Sequence, residues 1–218
     1  MITILNTDNK ERATRLFKEL QREKHGLVAD TMEYYGERYA MNYGVSLHTI
    51  RAAAQRIGSD HLFARYLFAH SVRELKLASI SILEPSSLTS DKELAFWSQG
   101  LTTNELCEEF ALKALSKCAT FWDVFPKWAS SDNDFLQYTA LMAASRVEPF
   151  DIPFILSTIK SIELRGDMLG YKVRAIIRLL VWLIKDNSPN ILEQYLAAVP
   201  DTSLASHIRE EVAWRIEA

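Results

Sequence analysis

The chain has 218 residues, 48% hydrophobic, 24% charged and 11% aromatic, with only 7 glycines, 6 prolines and 2 cysteines. That glycine share is under half the usual ~7%, which argues against all-β and α/β folds because their turns and phosphate loops consume glycine. The hydrophobic content excludes disorder, and a formal charge of −3 gives no overall basic signal for nucleic acid or an anionic membrane.

Met1 to Leu5 is too short for a secretory leader and lacks a basic start. The most apolar stretch, Ala175 to Ile184, carries Arg178 and is too short to span a bilayer, so it reads as a buried helix. Cys107 and Cys118 have no second pair to make a zinc site or a disulfide framework. A cytoplasmic protein with no metal, no cofactor and no membrane partner is expected.

Taken in chain order, Asp8 or Asn9 is placed to cap a helix reaching about residue 25, with Ala13, Leu16, Phe17 and Leu20 on one face. A second helix is predicted over about 27–39, holding Met32, Tyr34 and Tyr35. Tyr43-Gly44 interrupts it, Ser46 opens a helix over 47–57, and Gly58-Ser59-Asp60 breaks and recaps the chain. Helices are then predicted at 60–69, 72–84, 91–99, 103–117, 120–129, 133–146, 151–163, 168–185, 189–198 and 203–215. The breaks between them are rich in Ser, Asp, Asn, Gly and Pro, as at Glu84-Pro85-Ser86-Ser87, Ser130 to Asn133, Gly166-Asp167 and Asn187-Ser188-Pro189. Pro126 lies inside 120–129 and is expected to shorten or kink that helix.

Pairing successive helices gives units that start near residues 60, 90, 120, 150 and 189. A period of roughly 30–40 residues built from two antiparallel helices is the signature of a HEAT-like solenoid; a compact helical bundle is the alternative. The fold expected is all-α, a right-handed α-solenoid of HEAT-like antiparallel helix pairs. With no linker or low-complexity tract, 1–218 reads as a single domain, 1–58 forming atypical N-terminal cap helices.

Three stretches together resemble the AlkD-like DNA alkylation repair family of HEAT-like repeat DNA glycosylases. One is Tyr43-Gly44-Val45 followed by Ile50-Arg51. Another is Leu67-Phe68-Ala69-His70-Ser71 with Glu74, Leu77 and Ala78. The third runs from Trp97 through Asn104, Cys107 and Glu108 to Trp128-Ala129-Ser130-Ser131-Asp132-Asn133. The resemblance covers about residues 30 to 146. It implies a pocket made from a Trp, an Asp four residues later on the same helix and an Arg on a later helix. There a carboxylate stabilises the oxocarbenium-like charge that builds as the glycosidic bond breaks, and aromatic faces attract a cationic base.

This sequence departs from that pattern at all three positions. Aligned on Cys107, the Trp falls on Asn104 and the Asp on Glu108; aligned on Asn104, they fall on Glu105 and Glu109. The Arg falls on Gln137 or Tyr138, neither of which makes a charged bidentate phosphate contact. Glu108 and Glu109 are therefore the candidate catalytic carboxylates, although acids in the first turns of a helix also simply favour its dipole. Arg73, Lys76, Gln137, Tyr138, Lys172 and Arg174 are the candidate nucleic-acid-binding residues. Basic and acidic residues nearly balance on the helices that the resemblance assigns to the binding face, where a duplex groove is normally clearly positive. The expected partner is thus DNA, bound weakly, through a divergent alkylation-repair-type protein whose glycosylase activity is in doubt. The alternative is a non-enzymatic helical-repeat scaffold for protein partners.

Overall fold

The computed structural model describes residues 2–149, 151–184 and 190–217, with side chains described from Thr7 onward. Thirteen α-helices account for most of the described residues: α1 (Ile2–Gln21), α2 (Gly26–Tyr34), α3 (Leu47–Ile57), α4 (His61–Phe68), α5 (Arg73–Ile82), α6 (Asp91–Ser98), α7 (Asn104–Lys113), α8 (Phe121–Ala129), α9 (Asp134–Ala144), α10 (Ile152–Lys160), α11 (Leu169–Ile184), α12 (Asn190–Leu196) and α13 (Thr202–Glu217). Short 3₁₀ turns occupy Pro85–Ser87 and Leu115–Lys117. The described residues form no strand; Met41 and Val72 make one isolated bridge. The break at Asn187-Ser188-Pro189, and the expected helix ends at Lys185 and Pro189, lie outside the described residues.

Most helix starts follow from a polar side chain that takes up an orphan first-turn N–H. Ser46 accepts from Thr49, Asp60 from Phe63, Ser90 from Glu93, Thr103 from Leu106, Asn133 from Phe135 and Leu136, and Asp151 from Phe154. Helices α1, α7 and α10 end three or four residues earlier than expected, and three further differences have a local cause. Asn9 does not cap α1, because its side chain accepts from Arg12 (3.4 Å) while the helix runs on through it. α2 stops at Tyr34, just before Gly36, whose φ of 92° the helix cannot accommodate. α8 continues through Pro126 to Ala129 rather than ending there.

The helices cluster into two compact units, Met1–Ala119 and Thr120–Ala218. In the first, α5 packs on α4 across their short connection and lies between α3 and α7. Trp97 of α6, fully buried, ties the next pair together by stacking on Phe110 of α7 and tilting against Phe68 of α4. Gly100 is required there, since a Cβ would sit 2.3 Å from the Phe68 ring. Gly44 is required for a second reason: its φ is 68°, and a Cβ would stand 2.1 Å from the carbonyl oxygen of His25. In the second unit α8 pairs with α9, α9 packs on α11, and α11 on α12 and α13, while α10 packs on α8 and α12. Each unit is thus a double layer of helices, with α3, α5 and α7 in one layer of the first and α9, α11 and α13 in one layer of the second.

Candidate functional site

The expected catalytic carboxylates lie on α7, in the first unit. Thr103 caps this helix and Glu105 enters its first turn. Helix periodicity then separates the acids. Glu109 shares the buried side with Leu106, Cys107 and Phe110, and is only 2% exposed, whereas Glu108 faces outward and is exposed.

A buried carboxylate is tolerated when it is paired and hydrogen-bonded, and both inward acids are. Arg51 of α3 reaches Glu109 with two parallel donors, Nε at 2.9 Å from Oε1 and Nη2 to Oε2. Donation of these hydrogen bonds to Glu109 is the main reason the Arg51 pKa is raised. Ser81 of α5 adds a long donor at 3.5 Å. Glu105 is held in the same bidentate way by Arg73 of α5, with Nε at 2.7 Å from Oε2 and Nη2 at 2.5 Å from Oε1.

Arg73 itself is 3% exposed. Its remaining donors go to the Val45 carbonyl (2.9 Å) and to Glu74 Oε1 (3.2 Å). Burial pulls its pKa down, but the Glu105 and Glu74 charges outweigh that and leave it raised. Glu74 Oε1 also accepts the backbone N–H of Tyr43 (3.0 Å) and Val45 (3.3 Å). Its Oε2 is buried without a partner among the described residues, as is Oδ1 of Asn104.

The α2–α3 connection completes the cluster. Tyr39 donates its hydroxyl to Glu105 Oε2 (2.8 Å) and meets Thr103 Oγ1 at 2.7 Å. Burial, reinforced by the Glu105 charge, pushes the Tyr39 phenol well up. Glu37 accepts the N–H of Glu105 at 3.5 Å. Its carboxyl is raised, first by burial and then by the charges of Glu105 and Glu108, against the hydrogen bonds from Glu105 and Thr103 that lower it.

The other candidates take up different places. Lys76 is half-buried, donates to the Phe68 carbonyl (2.9 Å) and lies 4.4 Å from the Phe68 ring centroid, with its pKa lowered by burial. In the second unit Lys172 is 1% exposed and donates to Glu163 O (2.7 Å), Asp134 Oδ1 (2.8 Å) and Gln137 Oε1 (3.1 Å). Gln137 in turn donates to Ser131 O at 2.8 Å. Lys172 and Gln137 therefore close a joint inside the unit. Tyr138 is buried edge-on to Tyr171. Arg174 is exposed, with its guanidinium 4.7 Å from the Tyr171 centroid, and Arg178 is exposed one turn further along α11.

In the sequence Arg51 stands out as part of a motif, and nothing there joins Tyr39 or Glu37 to it. No local pattern ties these residues to Glu109 and Glu105, because every partner lies on another element. Among the described residues no group of His, Cys, Asp and Glu is arranged to hold a metal ion, and no helix is long and apolar enough to cross a membrane.

The arrangement of paired helices is that of HEAT-like repeat proteins. A solved structure from "a new family of proteins related to the HEAT-like repeat DNA glycosylases with affinity for branched DNA structures" superposes with a TM-score of 0.71, covering 93% of this chain and 94% of that one at 15% identity. At that identity the likeness is one of fold. The family profile described as "DNA alkylation repair enzyme" matches residues 16–151, and the chain belongs to that family. No curated protein matches the sequence.

Proposed function

We propose that this protein binds DNA through exposed cations of its helical repeats and does not cleave the glycosidic bond of alkylated nucleotides. The observation that carries the second half is the double staple on α7. A carboxylate that is to stabilise positive charge on a sugar must be free of a competing counter-charge. Glu109 and Glu105 already carry a bidentate arginine each, and Asn104 offers no aromatic face. Glu108 is left as the exposed acid of the group, one methylene longer than the family's Asp, a change in reach that a site needing tight positioning does not tolerate.

DNA as the partner is supported by family membership and by the affinity for branched DNA named for the structural relative. Arg73, Lys172 and Gln137 serve the fold and Lys76 is half-buried against Phe68, so the phosphate contacts fall to Arg174 and its neighbour Arg178. A chain of charge −3 binds weakly through so few contacts. We also read the chain as one cytoplasmic array of repeats, with the buried thiols of Cys107 and Cys118 suited to a reducing compartment.

Fluorescence anisotropy with a labelled branched oligonucleotide tests the binding. Affinity should fall with salt, and Arg174→Ala with Arg178→Ala should flatten the log–log slope by about 0.9 for each phosphate no longer neutralised. Absent or salt-independent binding overturns it. Leu27, Tyr34 and Tyr35, all strongly exposed around α2, favour the protein-scaffold reading in that event.

A further inference from the structure

Helix α2 lies on the first unit with none of its residues buried, and it is not among the helices whose pairings build that unit. Ala29 and Met32 are half-buried on its inward side, where Asn42 reaches Met32 Sδ at 3.7 Å and Gly44 lies close against His25 and Ala29. The outward side is apolar and open. Leu27 is 71% exposed, Tyr34 84% and Tyr35 74%, with Val28 beside them. A helix of nine residues is marginal in water on propensity alone and takes its stability from packing an apolar face. The larger apolar face of α2 points away from its own chain.

The charges that flank this stripe select its occupant. Glu23 and Lys24 precede α2, and Glu37 and Arg38 follow it. Two copies of the segment laid antiparallel set Glu23 against Arg38 and Lys24 against Glu37, whereas a parallel arrangement sets each charge against its like. The same register, centred between Asp30 and Thr31, lays Leu27 of one copy on Tyr34 of the other. A two-fold axis across the helix keeps each flank facing its own counterpart. Val28 of one copy then meets Tyr35 of the other along one flank, while both Asp30 carboxylates stay in water on the opposite flank.

We propose that α2 is the two-fold contact of a homodimer, two copies packing antiparallel along Leu27, Val28, Tyr34 and Tyr35. This contact has far fewer than the ~20–30 residues a side of a standard interface, so the dimer is weak, with a dissociation constant of about 10–100 µM. The surface lies within the first unit and does not depend on the DNA-binding reading.

Sedimentation velocity of the full chain without DNA, at concentrations on both sides of that range, should show a monomer–dimer equilibrium. Tyr34→Ser should leave the chain monomeric throughout, with circular dichroism confirming that it keeps its helices. Arg38→Glu should weaken dimerisation roughly three- to tenfold, because symmetry repeats the lost pair. Adding Glu23→Arg to it reverses both members of the pair and should restore the wild-type affinity. A chain that is monomeric at every concentration, a dimer unaffected by Tyr34→Ser, or a double reversal that restores nothing overturns the proposal. In the first of these cases, loss of branched-oligonucleotide binding in Tyr34→Ser would assign the stripe to DNA instead.

Discussion

Replacing Arg51 by Met would leave the Glu109 carboxylate almost fully buried, with only the long Ser81 hydroxyl contact in place of two charged donors. Removing one member of a buried ion pair costs about 3–5 kcal/mol. Glu109 is 2% exposed but Arg51 is 37% exposed, so solvent already screens part of the attraction and about 2–3 kcal/mol is the better figure. For a chain of this length each kcal/mol lowers the melting temperature by about 2–4 °C, so a fall of roughly 5–10 °C is expected by calorimetry at neutral pH. The paired change Arg51→Met with Glu109→Leu should recover most of that stability, because apolar residues of similar volume replace a buried pair at little cost. A melting point for Arg51→Met within a degree or so of wild type would refute the reasoning. It would mean that Glu109 is solvated and available, and the case against a catalytic carboxylate would fall with it.

The other expectations concern stability and pH. Glu37 has a raised folded-state pKa, so its contribution is fully present below the unfolded pKa of about 4.3 and is lost as pH rises through the folded value. Glu37→Gln should therefore stabilise the protein at neutral pH, with the gain disappearing in acid, as urea unfolding at both pH values would show. Asp60 behaves oppositely. Burial raises its carboxyl, but the Phe63 N–H and Arg12 outweigh that and leave it lowered. The stability it gives is present above about pH 4 and is lost as pH falls further, so Asp60→Asn should flatten the acid limb of the stability curve. Lys172→Met should cost about 1–3 kcal/mol by leaving Gln137 and Glu163 acceptors unmet, measured as a lower urea midpoint. Gly44→Ala should destabilise more than its backbone strain of about 1–2 kcal/mol alone, because the methyl also meets the His25 carbonyl.

The helices were legible because their information is local. Ser46, Asp60, Thr103 and Asn133 cap helices where the breaks placed them, and apolar spacing supplied the faces. Asn9 misled because a capping residue also makes side-chain contacts within a helix, here with Arg12. The site was less legible because its partners are remote. Arg51 and Glu109 lie 58 residues apart, and Arg73 and Glu105 lie 32 apart, so nothing in a helical period joins them. One signal was available for the buried cations. Lys172 shares its stripe of α11 with Ile176, Leu179 and Leu183, and Arg73 shares a stripe of α5 with Leu77 and Ile80, all buried. A cation on an apolar stripe is expected to have internal acceptors, which is what both have.

The central claim is that Glu105 and Glu109 of α7 are neutralised by their arginines and that no carboxylate of this helix serves base excision. Single-turnover release of 7-methylguanine and 3-methyladenine from alkylated DNA, with the protein in large excess, tests it most directly. The account predicts release no faster than from DNA alone. Release that depends on the protein and is abolished by Glu108→Gln or Glu109→Gln would contradict it.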